Sequence, residues 1–345
     1  MERRDWLNPL HLAQPICEAL SLLMETGQPQ SEKDSSFFRF SRRAMATEFE
    51  VLLPLACPMA HSLADAALDL VDDLESQLTV YRESSEISHI NRTAYANWVH
   101  PELSLWKLLE KSQTIARETE YGFDPTTGPL IRLWGFHSGP KRVPSAEEIE
   151  RVLEKTGIEN LDLQAKDFSM RFKQPGMEIN LGAIGKGYAL DRVGQMIRGR
   201  FGWKSFLLQG GRSSILAGDK PVGAERSWRV RICHPWEQEK TLAVLELENR
   251  ALGISAATYN YFEANGVKYG HVLDAKTGYP CQGVACCAVL APDCASADAL
   301  STAFFVRGVE AAEKYCSKHP GIGVLLLSEP GTGSCQAIGN TGLLN

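Results

Sequence analysis

The chain has 345 residues, 44% of them apolar and 23% charged, and a formal net charge of −6. That is room for one large domain or two ordinary ones, with a core that needs no disulfide or metal staples. The acidic balance and the lack of any Lys/Arg run exclude a nucleic-acid footprint, so a phosphate-bearing ligand must be met at a focused site.

Residues 1–36 read as an extension and linker. Charges come first, Asp5 and Glu18 interrupt any apolar core, and polar "QPQSEKDSS" leads into a folded body from Phe37. No stretch approaches the ~18 apolar residues of a membrane span. "FFRFSRRAMATEFEVLLPL" alternates and then runs apolar, which predicts one or two strands. Leu63, Ala67, Leu70, Leu74 and Leu78 then mark one face of a helix. "YRESSEISHINR" reads as a polar loop, "LSLWKLLEKSQTIARETE" as a second helix, and "YGFDPTTGPLIRLWGF" as a turn-rich segment with aromatic anchors. Ser145 and Glu148 have capping-box spacing ahead of a helix that stops by Gly157. "LDLQAKDFSMRFK" and "MEINL" read as strands, "GYALDRVGQMIRGRFG" as a helix, and "SFLLQGGRSSILAG", "WRVRICHP", "TLAVLELEN", "ALGIS" and "VKYGHVLDAKTGYP" as strands with glycine turns and loops. A strand "CCAVLAP", two helices meeting at Gly308 and a last strand "IGVLLLS" complete the pattern. Strands in runs with helices interspersed irregularly predict an α+β fold rather than a doubly wound sheet. The nine cysteines form no C-x-x-C pair, so they read as small buried hydrophobes suited to a reducing compartment. The N-terminus shows no clear signal-peptide or lipoprotein pattern, so a cytoplasmic location is favoured, with a periplasmic or membrane-anchored one as the alternative.

Four segments carry groups with chemistry. In "INLGAIGKGYALD" the glycines fit neither the P-loop nor the dinucleotide fingerprint, yet they let backbone approach a ligand where a helix begins, and Lys186 adds a positive charge. Taken alone, the segment fits a tight strand-to-helix turn with a solvated lysine somewhat better. Asp124-Pro125 starts a rigid turn continued by Thr126, Thr127 and Gly128, either a carboxylate presented to a base or ribose or an Asx-turn. His271 and Asp274 stand three apart in "HVLDAKTGYP", a general-base candidate beside a carboxylate, or a satisfied loop histidine. Asp298 and Thr302 are four apart on a predicted helix and share a face. That pair suits hard-oxygen ligation of Mg²⁺, or a first-turn dipole role and a back-bonded hydroxyl.

Taken in order, "RAMATEFEV", "LTVYRESSEISHIN", "FDPTTGPLIRLWGF", "INLGAIGKGYALD", "QGGRSSILAG", "HVLDAKTGYP" and "ADALSTAFF" resemble the motifs of the ApbE family of flavin transferases, from about Arg43 to Gly308. The resemblance implies mixed, largely antiparallel sheets packed with helices in two intimately joined lobes, spanning 37–345. It implies FAD as substrate and Mg²⁺ at its pyrophosphate. A threonine hydroxyl of an acceptor flavoprotein would attack the FMN-side phosphorus, AMP would leave, and FMN would stay as a phosphoester. Carried over, Met45, Tyr81, Phe123, Asp124, Asn180 and Lys186 would contact FAD. The Ala183 carbonyl, Asp298 and Thr302 would hold the metal, and His271 would be the base, with Asp274 shaping its loop. The chain departs from the family pattern at Ala46, Arg212, Ala256 and Ala275, where the family has glycine, aspartate, glycine and proline. Those departures keep two alternatives open: an FAD-binding protein that has lost transfer, and an FAD pyrophosphatase giving FMN and AMP.

Overall fold

The computed structural model describes residues 37–237, 239–256, 260–329 and 335–341; the extension read at 1–36 lies outside them. Strands β1 (Phe37–Ala44) and β2 (Thr47–Pro54) form a hairpin whose two turn residues, Met45 and Ala46, both have positive φ, 49° and 59°. Such a turn matches the right-handed twist of the strands, and Asn-Gly is its usual occupant.

Helix α1 (Ala60–Leu78) buries the predicted Leu63, Ala67, Leu74 and Leu78. The expected loop after Tyr81 is corrected: Glu86–Thr93 is a helix, α2. Ser85 Oγ accepts the Ser88 N–H at 3.0 Å as an N-cap, and Ile87 and Ile90 are buried one turn apart. Two apolar positions are too few to show a period, but a cap and one anchored turn suffice once tertiary packing is present.

Helix α3 (Leu103–Glu118) follows, then a short α4 (Gly128–Leu133) with Pro129 in its first turn, inside the segment read as turns. Helix α5 (Ala146–Leu153) carries the full Ser145–Glu148 capping box. Strands β3 (Leu161–Gln164) and β4 (Ser169–Phe172) pair with each other. "MEINL" is not a strand: it is extended, with one bridge from Glu178 to Thr127, because no neighbouring strand offers it a ladder. Helix α6 (Gly185–Arg200) starts two residues before the predicted point.

Next come β5 (Leu207–Gly210), β6 (Ser214–Ala217), β7 (Trp228–Cys233), β8 (Thr241–Leu247), β9 (Ala251–Ala256), β10 (Tyr261–Ala264), β11 (Val267–Gly270) and β12 (Val284–Ala291). Helix α7 (Cys294–Lys318) is broken at Gly308 (φ 76°, ψ −163°), which yields the two helical halves expected there. Strands β13 (Gly323–Ser328) and β14 (Cys335–Gly339) close the element order. Strands β10 and β14 were not expected from the sequence; both are only four or five residues long and no residue of either is fully buried, so the alternation is too brief to stand out.

Eight strands form one sheet in the order β1-β2-β5-β6-β9-β12-β13-β14, and every ladder in it is antiparallel. This is the α+β, largely antiparallel architecture expected from the sequence. One face packs against the helices in a core that includes Phe49, Val51, Leu208, Cys287 and Val289 with Leu63, Leu109, Ile197 and Phe304. The other face packs Leu52, Leu207, Ile215, Leu252 and Leu290 against the β7–β8 hairpin through Trp228, Val230 and Leu245. Strand β12 is therefore covered on both sides, and its continuous apolar run follows. Cys286 and Cys287 behave as the buried hydrophobes expected, with burial pushing the Cys286 thiol up to about 12. Cys335, by contrast, is exposed.

A third, smaller cluster of Leu130, Trp134, Ile149 and Leu273 joins the "LWGF" segment to the turn after His271. Its polar contact is buried: Trp134 Nε1 donates to the Gly278 carbonyl at 2.9 Å. Among the described residues no helix is long and apolar enough to cross a membrane.

Candidate active site

The site is built where the N-termini of α6 and α7 meet. Gly187, in the first turn of α6, lies so close to α7 that a Cβ there would sit 2.2 Å from the Cys294 carbonyl oxygen. This approach brings the Gly187 N–H to Asp298 Oδ2 at 2.8 Å. Gly187 is among the first four residues of α6, whose N–H groups have no partner inside the helix. Its commitment to Asp298 turns the start of α6 toward α7.

Asp298 is 6% exposed. Ser214 Oγ, from the first residue of β6, donates to it at 2.8 Å from Oδ1 and 2.9 Å from Oδ2. Burial pushes its carboxyl up to about 6, against the opposing pull of Lys186, Ser214 and the Gly187 N–H. One helical turn on, Thr302 Oγ1 lies 3.2 Å from Ser255 Oγ, which is also 2.9 Å from Ser301 Oγ. Each of the paired α7 residues is thus met by a serine from the sheet beneath it, Ser214 from β6 and Ser255 from β9.

Asp191, on α6, anchors the same junction by accepting the Cys294 and Ala295 N–H groups at 2.8 and 2.9 Å. Burial and the neighbouring Asp293 push its carboxyl up to about 7.

Lys186 is half-buried, with Nζ 3.5 Å from the Gly182 carbonyl. Its charge acts on both Asp298 and His271. The Gly210–Gly211 turn borders it: a Cβ on Gly210 would lie 3.6 Å from Lys186 Cβ. Gly211 (φ 64°) abuts Thr47 Oγ1, just past the Met45–Ala46 turn, and donates its N–H to the Glu48 carbonyl at 2.8 Å.

Asn180 joins the Lys186 turn to the Asp124 turn. Its N–H donates to the Pro125 carbonyl at 2.7 Å, and its side-chain oxygen accepts the Gly182 N–H at 2.9 Å. The residue before it is clamped by Asn91, which accepts the Ile179 N–H at 2.7 Å and donates to the Ile179 carbonyl at 3.0 Å.

The Asp124 carboxylate is occupied by the protein. Oδ1 accepts from the Thr126 N–H (2.7 Å) and hydroxyl (2.6 Å), and Oδ2 accepts the Ile158 N–H at 2.9 Å. Burial raises its pKa above the ordinary carboxylate value despite these donors. The Phe123 ring belongs to the core, which leaves the backbone as the part of that residue a ligand can meet.

His271 is half-buried, and its backbone N–H donates to the Asn260 carbonyl at 3.0 Å. Its Nδ1 lies 3.2 Å from the same carbonyl oxygen. A carbonyl only accepts, so Nδ1 carries the hydrogen and Nε2 of the neutral ring keeps its lone pair free. Burial lowers the pKa, and the Lys186 and Lys141 charges lower it further, against the Asn260 hydrogen bond. Asp274 does not face that ring as a hydrogen-bond partner; both its oxygens are held by Arg307, at 2.9 and 3.0 Å. Tyr81 is 68% exposed and stands apart from this chain of bonds, its ring stacked on His137 with centroids 4.5 Å apart.

Sequence reading missed Ser214, Asn91, Asp191 and Arg307. Asn91 and Asp191 end two of the quoted motif segments, so their place was visible though not their partners. Arg307 acts across 33 residues to Asp274, and no local pattern marks it.

The arrangement presents a buried carboxylate and a hydroxyl one helical turn apart, with the charge of a lysine and a neutral imidazole acting nearby. Such a set suits the handling of a pyrophosphate and the deprotonation of a nucleophile.

Known proteins carry the same architecture. The model of the ApbE family matches residues 45–326. The FAD:protein FMN transferase of Haemophilus influenzae is 26% identical over 318 residues, covering 88% of this chain and 90% of its own. That of Vibrio cholerae is 30% identical over 252 residues, covering 70% and 72%. The crystal structure of the ApbE protein of Thermotoga maritima superposes with a TM-score of 0.80 at 29% identity, over 88% of this chain and 97% of that one. The apo flavinyl transferase ApbE of Pseudomonas stutzeri gives 0.76 at 26% identity, over 88% and 95%. With the family match running from the Met45 turn to β13, this chain belongs to the ApbE family.

Proposed function

We infer that this chain is a FAD:protein FMN transferase, that it works with Mg²⁺, and that it moves FMN from FAD to a threonine hydroxyl of an acceptor protein with release of AMP. One observation carries the reading: the Gly187 N–H and Ser214 hydroxyl fix the buried Asp298 carboxylate beside Lys186, on the face that also bears Thr302.

The donors fit Mg²⁺. The Ala183 carbonyl, Asp298 and Thr302 are hard oxygens, too few to fill six positions, which suits an ion that keeps waters and substrate phosphate oxygens. Among the described residues no cluster of three or more His, Cys, Asp or Glu side chains offers a different kind of site. A buried carboxylate whose proton affinity is raised by desolvation is also a group that gains from a bound cation. When bound, Mg²⁺ supplies neutralisation of charge on the pyrophosphate and on the departing AMP.

The chain's own residues do the rest. Lys186 draws the anionic pyrophosphate to the head of α6, where the positive end of the helix dipole favours an anion. His271 Nε2 takes the proton of the acceptor hydroxyl as its oxygen bonds to the FMN-side phosphorus. The bond from that phosphorus to the bridging oxygen breaks, and the oxygen leaves on AMP. Asp124 and Asn180 hold the turns that flank the ligand, Met45 and Tyr81 offer it side chains, and Phe123 offers backbone.

The test is incubation of the purified protein with FAD, Mg²⁺ and an acceptor protein bearing the target threonine. In-gel flavin fluorescence on the acceptor supports the reading. Free FMN plus AMP without a labelled acceptor replaces it with hydrolysis, and bound FAD that neither reacts nor transfers replaces it with storage.

A further inference from the structure

We propose that Arg307 is a positioning residue for transfer, holding the His271 loop and the Asp124 turn in register with the α7 face that carries Asp298 and Thr302. The proposal rests on the roles given above to His271 and Asp298.

One guanidinium makes four bonds to two separate segments. Nη1 donates to Asp274 Oδ2 at 2.9 Å and Nη2 to Asp274 Oδ1 at 3.0 Å, a two-pronged pair three residues past His271. Nε donates to the Glu120 carbonyl and Nη2 to the Tyr121 carbonyl, each at 3.2 Å. The ion pair is largely shielded, with side chains 17% and 15% exposed, so solvent weakens it less than an ordinary surface pair.

The second segment is strained where Arg307 grips it. Glu120 and Tyr121 are consecutive non-glycine residues at positive φ, 53° and 60°. Such a turn persists only where its surroundings over-determine it. It leads through Gly122, pressed so closely on α7 that a Cβ there would lie 2.6 Å from the Ala303 carbonyl oxygen, into Phe123 and Asp124. Arg307 itself is the last residue before the break at Gly308. Three parts of the site, distant in sequence, therefore meet at one side chain that touches neither a reacting atom nor the donors assigned to Mg²⁺.

Lysine cannot replace this fork. It keeps the charge but offers one point of attachment where arginine offers a planar set of donors. A role in positioning therefore separates binding from turnover, whereas a role in stability alone lowers both with the amount of folded protein.

The test measures FAD affinity by flavin fluorescence and single-turnover transfer to the acceptor for Arg307→Lys, Arg307→Met, Asp274→Asn and the Arg307→Met/Asp274→Asn pair. Arg307→Lys is expected to bind FAD within about threefold of the native protein and to transfer about 100-fold more slowly, the scale of a small misplacement of reacting groups. The paired variant is expected to be no slower than Arg307→Met alone, because both changes break one link. Transfer by Arg307→Lys within twofold of native overturns the proposal, as does an equal loss of affinity and rate. If Arg307→Met does not fold, the lysine variant decides alone. His271→Ala measured alongside separates the two readings: native-rate transfer there removes the base assignment, while the split between binding and rate in Arg307→Lys still reports on the clamp.

Discussion

The backbone N–H of Gly187 donates to Asp298 Oδ2 at 2.8 Å, joining residues 111 positions apart. The bond exists because glycine alone lets α6 approach α7 at the Cys294 carbonyl. Gly187→Ala places a Cβ against backbone that cannot swing away. It is expected to cost about 3 kcal/mol of stability, in the range of overpacked cores. It should also cost transfer activity beyond that explained by unfolding. Denaturant melts and a transfer assay at a temperature where the variant stays folded check both; a variant within 1 kcal/mol of native, roughly the scatter of tolerated core swaps, contradicts the close contact.

Asp298 is expected to give the protein a pH-dependent response to Mg²⁺. Its folded-state pKa is raised to about 6, above the ordinary aspartate value, so the folded state holds the proton more tightly than the unfolded chain. Its contribution to stability without metal is therefore full at low pH and lost as pH rises through about 6. A cation at the ionised carboxylate offsets that loss. The rise in Tm caused by Mg²⁺ should be larger at pH 8 than at pH 5, and absent in Asp298→Asn at both. An equal rise at the two pH values, or a full rise in the variant, removes Asp298 from the metal site.

His271 is expected to give transfer its acidic limb. Burial and two lysines hold its pKa below the ordinary histidine value, so the ring is neutral and able to accept a proton at pH 7. The rate should rise with pH through a midpoint below about 6.5 and then level off. His271→Ala should slow transfer by about 100-fold or more while FAD affinity holds, and should flatten that limb. A midpoint above 7, or an unchanged profile in the variant, excludes this histidine as the base.

Ala46 stores strain in the β1–β2 turn. At φ 59° its Cβ crowds the backbone, a cost of about 1 kcal/mol that glycine does not bear. Ala46→Gly is expected to raise Tm by about 2 °C for a chain of this size. A lower Tm in a thermal melt contradicts the left-handed turn.

Much of this was legible because the signals were local. The capping box at Ser145, the apolar face of α1 and the run of β12 each depend on residues near in sequence, and each appears where pattern placed it. The α2 helix escaped because Ile87 and Ile90 are its only buried positions, so its period cannot be seen without the core they enter. "MEINL" misled for the opposite reason: an apolar alternation marks a strand only where a partner edge exists, and Glu178 finds a single bridge. At the site, the i, i+4 spacing of Asp298 and Thr302 was readable, but Ser214 and Ser255 reach them only because β6 and β9 lie side by side under α7. Asp124 shows the limit of a motif read alone: its turn was expected, and its carboxylate is spent on that turn and on Ile158.

The most direct test of the account counts products. Protein, FAD, Mg²⁺ and acceptor are allowed to react, and AMP and acceptor-bound FMN are quantified together for the native chain and for Asp298→Asn. The account predicts one AMP for each covalent FMN in the native reaction, and neither product above background in the variant. AMP released with free FMN and no labelled acceptor, or labelling that proceeds unchanged in Asp298→Asn, contradicts it.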